Sequence, residues 1–275
     1  MSSSEHTGEP ARQIGARLQA LAMHELQRAI DLLGRGGPRV HEGVHQARKS
    51  MRRTRAVLAL GMPALGAGTP VIDRELQHVI RGLSRLRDVH ALVGIVDHLL
   101  EKEPRESDAA DLLRRARRSA MGKRAAVARD ELRDDPVLHV RREILRMLRA
   151  ALQGLAWSAV GEAGVEAALG RSADRITAAS ERAHASGRDE DWHRWRRRAR
   201  RLAQQQTALG DAAPSLAGEG KRVALLLGEA QDCAMLIAYC DRKSGLAKGE
   251  RERLREFATT RLARVRARIA ERAVP

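Results

Sequence analysis

Aromatic residues are nearly missing from this sequence: three Trp, one Tyr and one Phe stand among 275 residues. A binder of single-stranded nucleic acid stacks successive bases on aromatic rings, so this scarcity argues against that class. Cysteine is also scarce, with only Cys233 and Cys240. They fall seven apart in one predicted helix, ~10 Å at the usual helical rise, which is too far for a disulfide. Two buried, reduced thiols are expected, as suits a cytoplasmic protein. No apolar run approaches the ~20 residues of a membrane span, and the polar first ten residues hold no signal-peptide core. No Cys/His zinc spacing and no His-Glu-x-x-His occur, so neither metal nor cofactor is expected.

What the sequence does hold is helix-forming and basic. Apolar content is 43% and charged content 31%, with a mean hydropathy of -0.44. Ala, Leu and Arg dominate and, like Glu, are strong helix formers, so an all-α protein is expected. The net charge is +16 and the pI about 11.2. Most of the basic residues are arginine, whose planar fork of donors matches phosphate oxygens. Such a surface expects a polyanion.

The pattern divides into helices as follows. Residues 1–10 read as a disordered tail. Helices are predicted over Ala11–Leu33, Val40–Leu60, from Val71 with a continuation to Leu100 that Gly82 and Gly94 weaken, and Asp108–Leu132. Gly61–Pro70 is a loop. Val137–Trp157 reads as one connecting helix with Val140, Ile144, Leu145, Leu148 and Leu152 buried. Gly164–Ala185 follows, then a helix to Leu209 with Asp191 as its cap, a loop over Gly210–Gly220, and helices over Lys221–Cys240 and Glu250–Arg272.

Two of these helices carry a histidine followed by arginines in helical phase. In the first, Arg48, Arg52 and Arg55 follow His45 at plus three, seven and ten, on one stripe, with Lys49 and Arg53 beside it. In the second, Arg196, Arg197, Arg200 and Arg201 follow His193 at plus three, four, seven and eight. Each is followed by an equivalent segment, Leu83-Ser84-Arg85-Leu86-Arg87-Asp88 and Leu227-Gly228-Glu229-Ala230-Gln231-Asp232. The order of elements repeats with a period near 150 residues, which reads as a duplication. The expected domain covers 11–272: a first helical half over 11–133, a connecting helix over 134–160 and a second half over 161–272. Each half has enough amphipathic helices for a four-helix bundle, and an approximate internal two-fold is the economical arrangement.

These motifs resemble those of the CHAD domain, the conserved-histidine α-helical domain. The resemblance rests on Val44-His45 with Arg48, Arg52, Arg53 and Arg55; on Leu83-x-Arg85-x-Arg87-Asp88-Val89; on His193 with Arg196, Arg197, Arg200 and Arg201; and on Leu227-Gly228 with Asp232. It runs over roughly Ala11 to Arg272. What it implies is a pair of four-helix bundles facing each other across a basic central channel, a ligand that is inorganic polyphosphate, and association with polyphosphate granules. The ligand-facing set is then His45, Arg48, Lys49, Arg52, Arg53, Arg55, Arg85, Arg87, His193, Arg196, Arg197, Arg200, Arg201, Lys221 and Arg222. Asp88 and Asp232 would pair with and orient arginines. The second half departs from the pattern: Leu202-Ala203-Gln204 leaves no counterpart of Arg55, and Glu229 stands where the first half has Arg85.

The chemistry suits a flexible anion without bases. A stripe from His45 to Arg55 spans ~15 Å, enough to touch several successive phosphates, and the binding should weaken steeply with salt. The basic face around Arg115 and Arg118 fits a solvated surface or a channel wall equally. Trp192 and Trp195 read as packing anchors. No catalytic constellation stands out: Gly218-Glu219-Gly220-Lys221-Arg222 lacks the leading glycine and the Ser/Thr of a P-loop. A non-enzymatic binding module is expected. The competing readings are a nucleic-acid or general polyanion binder, which charge alone supports, and an enzyme acting on polyphosphate, for which no carboxylate cluster is visible.

Overall fold

The structure is a computed structural model, and it describes residues 8–210 and 219–271. Residues 1–7 of the expected N-terminal tail, residues 211–218 of the expected loop and the side chain of Lys221 lie outside the described residues; residues 8–10 of that tail are helical instead, and residues 219 and 220 of that loop already belong to a helix. Among the described residues the protein has no strand, and its helices are α1 (Gly8–Leu33), α2 (Val40–Gly61), α3 (Thr69–Gly82), α4 (Ser84–Leu100), α5 (Asp108–Asp134), α6 (His139–Gln153), α7 (Glu162–Ser186), α8 (Asp189–Leu209), α9 (Glu219–Tyr239) and α10 (Lys248–Ala270). They form two compact units that interleave along the chain. Of the described residues, unit 1 takes those within 1–84, 135–178 and 197–215, and unit 2 those within 85–134, 179–196 and 216–275.

Unit 1 is built on the hairpin of α1 and α2. Leu18, Leu26, Ile30 and Leu33 on α1, with Val44, Ala47, Met51 and Leu58 on α2, are all buried at helical spacing. Each of the larger of these side chains contributes ~1.5–3 kcal/mol by leaving water. The two helices approach closely at Gly43, where a Cβ would strike the carbonyl oxygen of Leu32. A second close approach occurs at Gly15, against the carbonyl of Trp157, and this is how the turn after α6 packs on α1.

The long helix expected from Val71 is instead two, broken at Leu83. Arginine side chains occupy the carbonyls at the break. Arg48 on α2 donates to the carbonyl of Ile80 and to Ser84 Oγ at 3.3 Å, and Arg141 donates to that of Gly82 at 3.3 Å. With Leu83 fully buried, the junction is held from both sides.

The connecting helix starts later and ends sooner than the apolar pattern suggests. Val137 and Leu138 have left-handed backbones with φ of 49° and 53°, which few non-glycine residues adopt. Asp135 then caps α6, accepting from the backbone N–H of Val140 at 2.9 Å and of Arg141 at 3.4 Å. Trp157 lies beyond α6 in a separate turn, its indole donating to the Leu152 carbonyl at 2.8 Å. Leu145, Leu148 and Leu152 face the core, but Val140 is 57% exposed. The expectation for Val140 fails because α6 carries two apolar stripes and only one meets α1 and α3.

The expected cap of α8 is also displaced. The helix begins at Asp189, and Asp191 sits inside its first turn, buried, accepting from Ser186 Oγ at 2.8 Å.

Unit 2 has a core drawn from α4, α5, α9 and α10, including Val96, Leu113, Ala116, Leu236, Cys240, Leu254 and Ala258. Cys233 and Cys240 are free and buried.

Candidate functional site

In unit 1 the α2 stripe is already engaged with partners. Packing of Val44, Ala47 and Met51 against the core sets the opposite phase for the basic residues. His45, Arg52, Arg53 and Arg55 are half-buried and Lys49 is exposed. Arg48 is buried, 8% exposed, and is committed to the α3–α4 junction rather than to the surface. Arg53 pairs with Glu25 at 3.0 Å. Arg55 grips Asp73 with two hydrogen bonds of 2.8 Å each and reaches Gln77 Oε1 at 3.3 Å.

The second half of α8 joins this site. Arg201 donates to the backbone carbonyl of Arg55 at 3.3 Å, which brings the two predicted basic helices together. Burial pulls the Arg201 guanidinium below its ordinary pKa; Asp73 opposes that, and Arg55, Arg175 and Arg198 add to it by repulsion. Three guanidinium groups and one carboxylate thus act on Arg201 here. Arg197 is exposed and Arg200 half-buried.

Unit 2 holds the remaining predicted residues. Arg85 pairs with Glu131 at 2.9 Å. Arg87 pairs with Asp88 at 2.8 Å and contacts Met235 Sδ at 3.6 Å. Asp88 is 53% exposed in its side chain, so the pair is weak in solvent. Asp232 faces Arg196 and Arg87. Burial raises its pKa, and those two arginines only partly offset the rise. Burial likewise lowers that of Arg196. His193 Nδ1 meets the Gln231 amide oxygen, and Arg222 is exposed.

Trp192 and Trp195 are buried with their ring centroids 5.5 Å apart, and His184 sits against both at 5.2 and 5.3 Å. The three rings pack against one another. On α5, Arg115 pairs with Glu250 at 2.6 Å and Arg117 with Asp97 at 2.5 Å. Among the described residues no three His, Cys, Asp or Glu side chains group as metal ligands, and no helix is long and apolar enough to cross a membrane.

Sequence reasoning missed the partners. Glu25, Asp73, Gln77, Glu131 and Gln231 lie 18 to 46 residues from the arginine or histidine they engage. No local spacing announces a contact of that separation.

Comparison with known proteins gives a consistent picture. The family model described as the CHAD domain matches residues 12–241. No curated protein matches the chain. Among solved structures, PptA from Streptomyces chartreusis superposes with a TM-score of 0.69 at 17% identity, over 96% of this chain and 99% of that one. The CHAD domain from the plant Ricinus communis superposes with a TM-score of 0.67 at 16% identity, over 97% and 93%. At these identities the likeness speaks to the fold.

Proposed function

The chain belongs to the CHAD domain family, and we propose that it is a non-enzymatic binder of inorganic polyphosphate. The observation that carries the reading is the cluster around Arg201. Arg55, Arg175 and Arg198 each repel the half-buried Arg201 guanidinium, and Asp73, which Arg55 grips, attracts it. Like charges packed this closely repel in the free protein, and a chain of phosphates relieves the repulsion while releasing its own counterions. The arginines meet phosphate oxygens in the same forked geometry that Arg55 uses on Asp73. His45 and His193 are equivalent residues of an internal duplication in this reading, each able to donate to a phosphate oxygen when protonated. With no stacking platform and few aromatics, the ligand is recognised through phosphates alone. Storage or sensing of polyphosphate in the cytoplasm, at granules, is the role that follows.

The test is a competition. Long-chain polyphosphate and duplex DNA, matched in phosphate concentration, are titrated against the protein across a salt series. Polyphosphate binding that survives salt sufficient to abolish DNA binding supports the proposal. Parallel loss of both makes the protein a general polyanion binder and removes the basis for a dedicated ligand.

A further inference from the structure

A small pocket in unit 2, between α8, α9 and α10, lies next to the His193–Gln231 pair. Its walls are Asp189, Trp192 and His193 of α8, Leu227 and Gln231 with two alanines of α9, and Arg266 of α10. Its room, about 20 Å³, is that of one oxygen-sized atom. Two N–H donors on its wall residues, Trp192 Nε1 and Arg266 Nε, are shut off from solvent and have no hydrogen-bond partner. Trp192 as a whole is 8% exposed. A buried donor without an acceptor is rare, because its lost hydration is not replaced.

The surrounding groups are held in place. Arg266 pairs through NH2 with Asp189, and its guanidinium carbon lies 5.2 Å from the centre of the Trp192 ring. Asp189 is the one carboxylate on the pocket; its side chain is 69% exposed, so water screens its effect on an anion. The pair engages Arg266 at its NH2 end and leaves Nε unused.

We infer that this pocket is a seat for one oxygen of a terminal phosphate group, with Trp192 Nε1 and Arg266 Nε as its donors. The inference rests on the polyphosphate reading and deepens it, since it assigns the chain end to a specific place. An internal unit offers two non-bridging oxygens and must run its chain past the pocket on both sides, whereas an end group offers three and leaves chain on one side only, so it enters with less crowding. An end group projects, carries extra charge, and leaves its other oxygens at the mouth beside His193.

Two variants of the full chain test it. Trp192→Phe keeps a ring and removes the N–H; Arg266→Lys keeps the charge and removes the Nε donor. Calorimetric titration with tripolyphosphate, which is rich in ends, should show each variant weakened about tenfold or more. Affinity for long chains, counted per phosphate, should stay within about twofold. Arg197→Glu should do the reverse. Unchanged tripolyphosphate affinity in both variants would overturn the seat, leaving a pocket that holds only water, while long-chain binding by the natural protein would still uphold the broader reading. If no polyphosphate of any length binds, both readings fall. Should the Phe variant not fold, the Lys variant decides alone.

Discussion

Arg55 and Asp73 form a bidentate pair with two hydrogen bonds of 2.8 Å each, and the carbonyl of Arg55 itself accepts from Arg201. One carboxylate thus answers the α2 stripe and the α8 cations at once. Phosphate and Asp73 compete for the same guanidinium. Asp73→Asn should therefore tighten polyphosphate binding several-fold. The same change leaves Arg55 and Arg201 facing each other without a counter-charge and should cost about 1–3 kcal/mol of stability. Binding isotherms and denaturant melts of one variant check both directions.

Arg48 and Lys49 are neighbours in sequence with opposite fates. Arg48 is buried at the α3–α4 break, so Arg48→Ala should lose about 2 kcal/mol or more of stability. Lys49 is exposed, so Lys49→Glu should weaken polyphosphate binding and leave the melting temperature almost unchanged. Thermal melts beside binding titrations distinguish the two.

Asp232 has its pKa raised in the fold, mainly by burial. The folded state then holds this proton more tightly than the unfolded state does, so the contribution to stability is greatest at low pH and is lost as pH rises through the folded value. Asp232→Asn mimics the protonated form. The variant should melt higher than the natural protein near neutral pH, and the gap should close as pH falls through the carboxylate range.

Burial pushes the Cys233 and Cys240 thiols up to about 11 from an ordinary 9.0. At pH 8 the thiolate fraction is lower by about 100-fold, and the thiolate is the reactive species. Alkylation of the native protein should be slower than that of the unfolded protein by at least that factor, as mass spectrometry over time would show.

The helical order was legible because apolar residues recur at 3.6-residue spacing over long stretches. Its failures share a cause. Period shows that α6 is amphipathic, yet Val140 and Leu145 belong to different stripes and only tertiary packing chooses which is covered. The break at Leu83 is met by Arg48 and Arg141, which reach the carbonyls of Ile80 and Gly82 from outside the helix. The basic stripes could be read from sequence, because they are local. Their distant partners could not, so Arg48 read as a ligand residue like its neighbours, although its side chain braces a junction through the Ile80 carbonyl and Ser84.

The few tryptophans make the protein its own reporter. Trp157 is in unit 1, whereas Trp192 and Trp195 touch each other and His184 in unit 2. Tryptophan emission during denaturation reads only these two places, while far-ultraviolet circular dichroism reads every helix. Superimposable curves from the two signals would mean that the interleaved units unfold as one cooperative block. Curves that separate would date the loss of each unit without any label being attached.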